Sequence, residues 1–537
     1  SYDRALAARP GFAEAHGNKG NLLIDAKRPE DALGCFDRAL ALKPDDVQTL
    51  NNRGNALVAL NRHEAAIVDF ERVLASDPPH PYTRGALMHT RMRCCDWRDF
   101  DRAADDLTQD VRAGRRAIYP FPFIAVSGSA DDQLECCRTF VRDKCPPMAQ
   151  ARPAAGPPRD KIRVAYLSAD FHDHPTAYLM AGMFEQHDRR RFETVALSFG
   201  PDSQSPMRAR LKAAFDRFID VRQKSEAEVA RLIGELEIDI AVDLMGFTRD
   251  FRSGLLAARP APVQVNYLGY PGTMGADFID YIVADRFTIP ERHQAAYAEK
   301  VVYMPDCFQV NDAKRPPVAR APGRTEAGLP ETGIVFCAFS NSYKITPRLF
   351  DVWMRLLSKI TGSVLWLLAD IPAVRSNLAR EAARRGIEPS RLIFAPRLGY
   401  AEYLARYAAA DMFLDTLPFN AGATASAALW AGLPIVTCPG EAFASRMAGS
   451  LLTALGLPEL VASSLEEYES LALKLATEAG LLAGAKARLA AGRGASALFD
   501  TARFTRHIEA AYRAMWQRHR QGLPPAPIDL SEPDSRP

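Results

Sequence analysis

The start of the chain repeats with a period of 34 positions. Aromatic residues, leucines and prolines recur in step, at Tyr2, Phe36 and Phe70, at Leu6, Leu40 and Leu74, and at Pro10, Pro44 and Pro78. A unit of this length holds two short helices whose apolar face stays exposed until the next unit covers it. The period therefore predicts a stack of helical pairs, each of which is stable only beside its neighbours.

Two further columns identify the type of repeat. Glycines recur in the first helix at Gly20 and Gly54, and alanines recur in the second helix at Ala32 and Ala66. With the aromatic residue and the closing proline, these columns form the tetratricopeptide pattern. We assign residues 1–79 to such repeats. The sequence enters the array in the second helix of a unit. We expect the natural protein, or a neighbour in a homodimer through the repeats, to continue it.

Composition narrows the class of protein. The 537 residues suffice for three or four domains, and a net charge of +2 gives no electrostatic reason to expect a nucleic-acid partner. No apolar run reaches the roughly 18 residues that a membrane span needs. The charged, amphipathic start of the chain is unlike a secretory signal. The nine cysteines include no Cys-x-x-Cys pair, so we expect reduced thiols in a cytoplasmic protein.

Changes in sequence texture divide the rest of the chain into four segments. Residues 80–157 lose the period but stay helical, and we interpret them as an adaptor that ends in a Pro/Ala-rich linker at 150–161. Residues 158–320 and 321–521 each alternate short β-branched runs with helical stretches, and a final helix closes the second of these segments. We expect the Pro-rich tail, residues 522–537, to be disordered.

Ten apolar runs in the two long segments are typical of buried strands. They are 162–168, 192–199, 238–244, 263–269 and 281–285 in the first, and 334–339, 363–369, 391–396, 412–416 and 434–438 in the second. Apolar strands between helices favour parallel sheets that are covered on both faces. The predicted fold class is α plus α/β, with helical repeats followed by two Rossmann-like, doubly wound halves. Ligands bind such sheets at the carboxyl ends of the strands.

One predicted helix of the second half begins with residues whose side chains are small. The stretch from Asn420 to Ala428 consists of small residues and directly follows a predicted strand. Free N–H groups and the helix dipole favour an anion there, and small residues let a phosphate approach the backbone. Gly422, Ala423 and Thr424 are therefore candidate phosphate contacts. The alternative is that they only allow close helix packing.

Two other strand ends in the second half carry polar or aromatic chemistry. Lys344 could neutralise a diphosphate leaving group, with Asn341 and Tyr343 as neutral hydrogen-bonding neighbours. An isolated lysine is more often a solvated surface residue. Tyr400 and Tyr403 could stack on a base, although aromatic residues at this spacing are more often part of a core. The three strand ends together favour a binding site over three coincidences.

The first half offers one titratable candidate. His174 directly precedes Pro175, which is expected to begin a helix after the first strand, so the imidazole should lie at the cleft. A histidine there can bind a sugar or accept a proton near pH 7, or it can simply cap its helix. Two other strands are followed by the segments 245–248, which ends in Thr248, and 267–275. The second of these segments offers glycines against which a sugar could rest.

Together these stretches resemble the O-GlcNAc transferase family, which moves N-acetylglucosamine from UDP-N-acetylglucosamine to serine or threonine of proteins. The resemblance spans almost the whole chain and rests on specific motifs: DFHDHPT, RPAPVQVNYLGYPGTMGADFIDY, YKITP, SVLWLL and LWAGLPIVTCPGEAFASR. It implies a two-domain fold of the B type, inversion at the anomeric carbon and no metal or other cofactor. It also implies that the groove of the repeats presents acceptor proteins or peptides. The one Asp-x-Asp, Asp99-Phe-Asp101, lies in the adaptor.

Carried over motif by motif, the resemblance implies a role for each candidate. His174 and Thr248 look like sugar-side contacts, and Lys344 looks like the essential lysine on the diphosphate. His174 is our leading candidate for the proton acceptor. The other substrate contacts that the resemblance implies are Leu268, Gly269 and Pro271 on the sugar side, Asn341 and Tyr343 beside the lysine, Leu398, Tyr403 and Arg406 around uracil, and Phe419, Gly422, Ala423, Thr424 and Ala427 along the small-residue helix.

The chain departs from the animal pattern at several of these positions. The family usually has cysteine, histidine and threonine where Phe419, Gly422 and Ala423 stand, and lysine and histidine where Tyr400 and Tyr403 stand. The change at Ala427 has the largest consequence, because the family usually has an aspartate there that bonds the ribose hydroxyls. Its loss puts nucleotide affinity in question.

Three functions are compatible with these residues. The first is transfer of N-acetylglucosamine to protein hydroxyls. The second is the same chemistry on another acceptor, such as a glycan or a small molecule. The third is a repeat scaffold whose catalytic half has become a nucleotide sensor, which the loss of a carboxylate at Ala427 would favour.

Overall fold

The computed structural model describes residues 2–76, 80–146, 159–315 and 320–530. These residues form a helical N-terminal part followed by two α/β halves. Within the same ranges, no helix combines the length and the apolar character needed to cross a membrane.

The predicted repeats are helical pairs. Their helices are α1 (Tyr2–Ala8), α2 (Ala13–Asp25), α3 (Pro29–Leu42), α4 (Val47–Ala59) and α5 (His63–Leu74). The recurring glycines have a steric cause: a Cβ on Gly20 would lie 2.4 Å from the ring of Phe36, and one on Gly54 would lie 2.5 Å from the ring of Phe70. The glycine and aromatic columns are thus two sides of one contact, made once in each repeat.

The adaptor connects the repeats to both halves. It consists of α6 (Thr83–Arg93), α7 (Phe100–Arg112), α8 (Pro120–Phe123) and α9 (Ala130–Lys144). Phe140 of α9 packs edge-on against Phe247 of the first half, with ring centroids 5.0 Å apart, and Trp97 packs against Phe350 of the second half at 5.2 Å. Most of the linker predicted at 150–161 lies outside the described residues.

The first half is a parallel sheet with helices on its faces. Its elements are β1 (Ile162–Ser168), α10 (Pro175–Gln186), β2 (Phe192–Ser198), α11 (Pro206–Ala214), β3 (Arg217–Asp220), α12 (Glu226–Glu235), β4 (Ile240–Asp243), β5 (Val263–Asn266), β6 (Tyr281–Ala284) and β7 (Lys300–Tyr303). The strand order is β7-β6-β5-β4-β1-β2-β3. The order reverses its direction beside β1, where an open sheet of this kind forms its ligand crevice.

The second half repeats this architecture with fewer strands. Its elements are β8 (Val335–Ala338), α13 (Pro347–Lys359), β9 (Val364–Leu368), α14 (Pro372–Arg384), β10 (Leu392–Ala395), α15 (Tyr400–Arg406), β11 (Met412–Leu414), α16 (Ala423–Trp430), β12 (Ile435–Val436), α17 (Met447–Ala454), α18 (Leu465–Thr477) and α19 (Ala479–Gly492). The strand order is β10-β9-β8-β11-β12, and every pair is parallel.

The chain then returns to the first half. Helix α20 (Thr501–Arg520) packs Ile508, Tyr512 and Met515 into the core around β1, and the hydroxyl of Tyr166 donates to that of Tyr512 at 3.2 Å. Strand β13 (Ile528–Asp529) pairs with β7 and becomes the eighth strand of the first sheet. The closing helix of the chain therefore completes the first half, not the second.

The prediction of a disordered tail is wrong for residues 522–530. Ile528 and Asp529 are in the sheet, the amide of Leu530 donates to the carbonyl of Tyr303 at 3.2 Å, and the Leu530 side chain is buried. The edge of β7 offers unpaired backbone groups, and an extended segment with apolar residues satisfies them. Residues 531–537 lie outside the described part of the chain.

All ten predicted strands are confirmed, each within a few residues of its predicted ends. The sequence did not reveal β3, β7 or β13. Strand β3 lies at the sheet edge and is only half-buried, so its RFID sequence lacks a continuous apolar run. Strand β13 has only two residues, which is too short for any pattern.

Candidate functional site

Two adjoining cavities occupy the cleft between the halves. The lysine cavity, of about 590 Å³, is lined by residues from the first-sheet strand ends, by His174 and by Lys344. The tyrosine cavity, of about 630 Å³, is lined by Tyr400, Tyr403 and Arg406 among others. The cavities share Pro175, Leu179, Ala423 and Thr424, so they form one continuous cleft.

The structure brings all the predicted site residues to this cleft. Those that line the lysine cavity are His174, Thr248, Leu268, Gly269, Pro271, Tyr343, Lys344, Phe419 and Gly422. Those that line the tyrosine cavity are Asn341, Leu398, Tyr403, Arg406 and Ala427, while Ala423 and Thr424 line both. Their roles toward a ligand stay predictions, but their convergence from both halves is a feature of the fold.

The start of α16 is open to a ligand. Its N-cap is Gly422, and no side chain caps the helix. The preceding loop is fixed from below, because the Asp415 carboxylate accepts hydrogen bonds from the amides of Thr416 and Ala421, each at 2.8 Å. Ser426 instead donates to Asn311 of the first half. The first turn of α16 therefore lines the cleft without a side-chain cap on its amides, as an anion site requires.

Lys344 points at this helix start. It ends a short 3-10 helix, Ser342–Lys344, that follows β8. Its Nζ donates to the carbonyl of Asn420 at 2.8 Å and lies 3.5 Å from the centroid of the Phe419 ring. Phe419, which stands where the family usually has cysteine, thus stacks on the lysine. The side chain is half-buried and positioned by these contacts, which argues against a solvated surface lysine.

Lys344 lies close enough to the buried Asp415 for the two charges to interact. Burial lowers the pKa of Lys344, and the nearby Asp415 partly opposes that shift. Burial raises the pKa of Asp415 against its hydrogen bonds from Thr437, Ala421 and Thr416 and the charge of Lys344. A diphosphate at the α16 start would add negative charge beside Lys344 and would favour its protonated form.

His174 caps α10, as the sequence predicted. Its Nδ1 accepts a hydrogen bond from the amide of Thr176 at 3.3 Å and lies 3.2 Å from an oxygen of Asp170. Burial, assisted by His172, lowers the pKa of His174 to about 4, and burial with the nearby Asp250 raises the pKa of Asp170 to about 7. The imidazole is therefore neutral at pH 7. A neutral imidazole whose Nδ1 accepts the Thr176 amide carries its proton on Nε2. The other neutral tautomer, with the proton on Nδ1 beside Asp170, leaves Nε2 free to accept a proton, and within the described residues Nε2 has no hydrogen-bond partner.

The sugar-side segment of the lysine cavity is held by backbone geometry. Leu268 has a φ of +68°, in the left-handed region that a branched residue rarely adopts. A Cβ on Gly269 would lie 2.0 Å from the carbonyl oxygen of Leu244, so only glycine fits there. Thr248 donates its hydroxyl to the carbonyl of Met245 at 2.8 Å. Strained backbone of this kind is common where a chain is shaped around a ligand.

Tyrosine side chains and a buried guanidinium form one side of the tyrosine cavity. The hydroxyls of Tyr403 and Tyr407 are 2.5 Å apart. The Arg406 guanidinium is buried, donates to the carbonyl of Pro396 at 2.7 Å and lies 4.1 Å from the centroid of the Phe339 ring. Arg406 therefore forms part of the cavity wall, and Leu398, which is exposed, offers its backbone at the rim.

Two residues of the tyrosine cavity were not found from the sequence. Tyr178 of α10 stacks on Tyr400, with centroids 3.7 Å apart and planes within 4°, and so joins the two halves at the mouth of the cavity. Tyr178 sits three residues after Pro175 in the DFHDHPT motif region, and that position was the available signal.

The second unpredicted residue is Arg315. Its side chain is buried and donates to Asn311, and its guanidinium lies 5.7 Å from the ring of Trp430 on α16. Its Nε has no partner among the described residues, and it lines the tyrosine cavity together with Ala427. A cation therefore lines the same wall as the position where the family usually has an aspartate. No periodicity or motif in the sequence indicated Arg315.

Among the described residues, no cluster of three or more His, Cys, Asp or Glu side chains could hold a metal ion. Asp99 and Asp101 lie at the start of α7 in the adaptor, away from both cavities.

Comparison with known proteins agrees with this architecture. The profile of glycosyl transferase family 41 matches residues 146–319 and 314–508, and that of the tetratricopeptide repeat matches 1–47 and 18–81. A bacterial structure, a lysine-to-methionine variant of the Thermobaculum terrenum O-GlcNAc transferase, superimposes with a TM-score of 0.80 at 27% identity over 95% of this chain and 98% of that one.

Curated relatives are similar at the sequence level. A probable UDP-N-acetylglucosamine–peptide N-acetylglucosaminyltransferase of Arabidopsis thaliana, SEC, is 33% identical over 473 residues, which cover 83% of this chain and 48% of that protein. The corresponding transferase of Caenorhabditis elegans is 28% identical over 80% of this chain and 48% of its own length. The chain thus spans about half the length of these relatives. Because the family profile covers both α/β halves, the chain belongs to glycosyl transferase family 41.

Proposed function

We propose that this protein transfers N-acetylglucosamine from UDP-N-acetylglucosamine to serine or threonine hydroxyls of polypeptides, with inversion at the anomeric carbon. The observation that carries the proposal is the opposition of His174 and Lys344 across one cavity beside an uncapped helix start. The names of the SEC protein and of the Thermobaculum structure support the choice of donor and acceptor.

The proposed reaction divides its work between the halves. The acceptor oxygen attacks the anomeric carbon, the bond from that carbon to the phosphate oxygen breaks, and UDP leaves with the electron pair. Lys344 and the first-turn amides of α16 stabilise the charge that develops on the diphosphate. The hydroxyl proton passes to Nε2 of His174 in the neutral tautomer that carries its ring proton on Nδ1 beside Asp170.

The remaining contacts position the donor. Arg406, Tyr403 and the backbone of Leu398 would hold uracil in the tyrosine cavity, and the segment from Leu268 to Pro271 would receive the sugar in the lysine cavity. We place the protein in the cytoplasm, because all nine cysteines are free and buried, which suits a reducing compartment.

The test is turnover of UDP-N-acetylglucosamine by the purified protein, with and without a protein lysate. Release of UDP together with labelled protein in the lysate is the expected result. Release of UDP with a labelled glycan or small molecule would instead show another acceptor. Binding of UDP without turnover under either condition would identify a nucleotide sensor and overturn the proposal.

A binding measurement tests the proposed independence from metal. Lys344 and the α16 start supply positive charge at the position where a metal would act. We expect UDP affinity, measured by titration calorimetry, to be unchanged on adding EDTA. A clear loss of affinity that Mg²⁺ or Mn²⁺ restores would contradict this assignment.

A further inference from the structure

A third cavity, the repeat groove, connects the helical repeats to the reaction site. It has a volume of about 650 Å³ and is lined on one side by α4 and the turn after it, at Asn55, Val58, Ala59 and Asn61. The opposite wall consists of residues from the adaptor and both α/β halves. This groove is a channel between the part of the molecule that suits a polypeptide and the part that carries the chemistry.

The repeat groove opens directly into the lysine cavity. Phe121, Thr248, Arg249 and Tyr343 line both. Tyr343 immediately precedes Lys344, and its ring packs against that of His89 in the adaptor with centroids 5.0 Å apart. A segment lying in the groove can therefore continue into the cavity that holds His174.

The groove carries an excess of positive charge. Its charged side chains are Arg93, Arg249, Arg397 and Asp370. Arg397 is neutralised, because its Nε donates to Asp370 at 2.6 Å. Asp370, the one carboxylate among the described residues that line the groove, is thus paired with Arg397, and Arg93 and Arg249 are left.

Neither remaining arginine has a strong partner. Within the described residues, the side chain of Arg93 makes no hydrogen bond or ion pair, although it is half-buried. Arg249 lies 3.9 Å from Asp250, but that carboxylate is bound more closely by Lys27 of the repeats, at 2.8 Å. The described part of the chain therefore leaves two guanidinium groups in the groove without a dedicated anion.

This arrangement has an electrostatic cost in the free protein. Burial lowers the pKa of Arg93, and the charge of Arg249 lowers it further, against the opposing influence of Tyr343 and Asp370. The neighbouring histidine adds no charge at neutral pH, since burial lowers the pKa of His89 to about 3. A carboxylate of a bound ligand would relieve the repulsion and would satisfy donors that are otherwise idle.

We propose that the repeat groove selects acceptor polypeptides that carry acidic side chains beside the hydroxyl to be modified, through Arg93 and Arg249. This inference rests on the proposed function, because it takes the occupant of the groove to be the acceptor. The protein as a whole should not attract acidic peptides, because its net charge is only +2. The selectivity is local to the groove.

The experiment compares two fluorescein-labelled peptides of equal length. Each has one serine in a neutral sequence, flanked on both sides by two glutamates in one peptide and by two glutamines in the other. Binding is measured by fluorescence anisotropy in low salt, with and without saturating UDP. We expect the wild-type protein to bind the glutamate peptide about tenfold more tightly.

Variants assign the preference to the groove. Arg93→Gln and Arg249→Gln should each reduce the preference, and the double variant should abolish it. Arg93→Glu should transfer the preference to a peptide with flanking lysines. The matched control is Arg102→Gln, an exposed arginine on α7 outside the groove, which should retain the wild-type preference. UDP affinity of Arg93→Gln should equal that of the wild type, which confirms that the fold is intact.

The outcomes separate this inference from the proposed function. If the wild type binds the glutamate peptide no better than the glutamine peptide, or binds neither, the inference is overturned. The same holds if the double variant keeps the preference. If the peptide preference is present but UDP-N-acetylglucosamine is not turned over with any acceptor, the groove assignment survives and the transferase assignment fails.

Discussion

The two α/β halves contribute opposite kinds of chemistry to one cleft. The first half presents titratable groups whose charge is suppressed: His174 is neutral at pH 7, and the pKa of Asp170 is raised to about 7. The second half presents Lys344 and the open start of α16. In the proposed reaction, proton transfer depends on the first half and stabilisation of the leaving group depends on the second, so a substitution can impair one without the other.

The largest expected effect is from loss of Lys344, which tests the second half. Lys344→Ala should reduce transfer at least about a hundredfold, because a charge-assisted contact to the leaving group lowers the activation barrier by about 3 kcal/mol. Lys344→Met, which keeps the side-chain length, should be equally impaired. Steady-state kinetics decide the matter, with exposed Lys224→Ala as the control. Near-native turnover by either Lys344 variant would remove the lysine from the mechanism.

The next largest effect tests the first half. His174→Ala should reduce transfer at least about tenfold while leaving UDP affinity nearly unchanged, since His174 lies opposite the nucleotide contacts. His174→Asn separates the two roles of the residue, because asparagine also caps helices but cannot accept the proton. A fully active Asn variant, or equal losses of transfer and UDP affinity in the Ala variant, would reduce His174 to a structural cap.

A substitution that tightens UDP binding would locate the ribose within the tyrosine cavity. Ala427→Asp should tighten UDP binding about tenfold, because a carboxylate one turn beyond Thr424 could accept both ribose hydroxyls. Arg315 on the same cavity wall would offset the cost of burying that charge. Calorimetry with UDP and with inorganic diphosphate, which has no ribose, measures the effect, and Ala427→Asn is the uncharged control. Equal UDP affinity of the Asp variant would mean that position 427 does not face the ribose.

The smallest effect concerns protons. Burial lowers the pKa of Lys344 in the free protein, and bound diphosphate should raise it, so UDP binding should take up a fraction of a proton above the depressed pKa. UDP affinity should accordingly fall as pH rises through that pKa. Calorimetry in buffers of different ionisation enthalpy measures the uptake. Binding enthalpies that do not depend on the buffer would show that Lys344 does not change its protonation.

The sequence predicted the repeats and the strands well, because each depends on a local pattern. The contact of Gly20 with Phe36 recurs at a fixed period, and buried parallel strands are continuous apolar runs. His174 and Lys344 could be placed at the cleft because both follow strands. Relations between distant segments left no such pattern. Arg315 meets Trp430 across 115 positions of sequence, and Tyr178 meets Tyr400 across the cleft.

The tail was mispredicted for a related reason. Its Pro-rich composition indicates disorder, but Ile528 and Asp529 pair with the edge of β7, which lies far earlier in the chain. Local composition does not report a partner more than two hundred residues away.

Helix α20 has a consequence for how the protein is made. The apolar core around β1 stays partly exposed until residues 501–520 have left the ribosome. The first half therefore cannot finish folding until the second half has been synthesised. A chain that ends before α20 would expose this face of the first sheet, and chaperones would bind it. Laboratory splitting of the two halves near residue 320 should fail for the same reason, unless α20 and β13 are supplied alongside the first fragment.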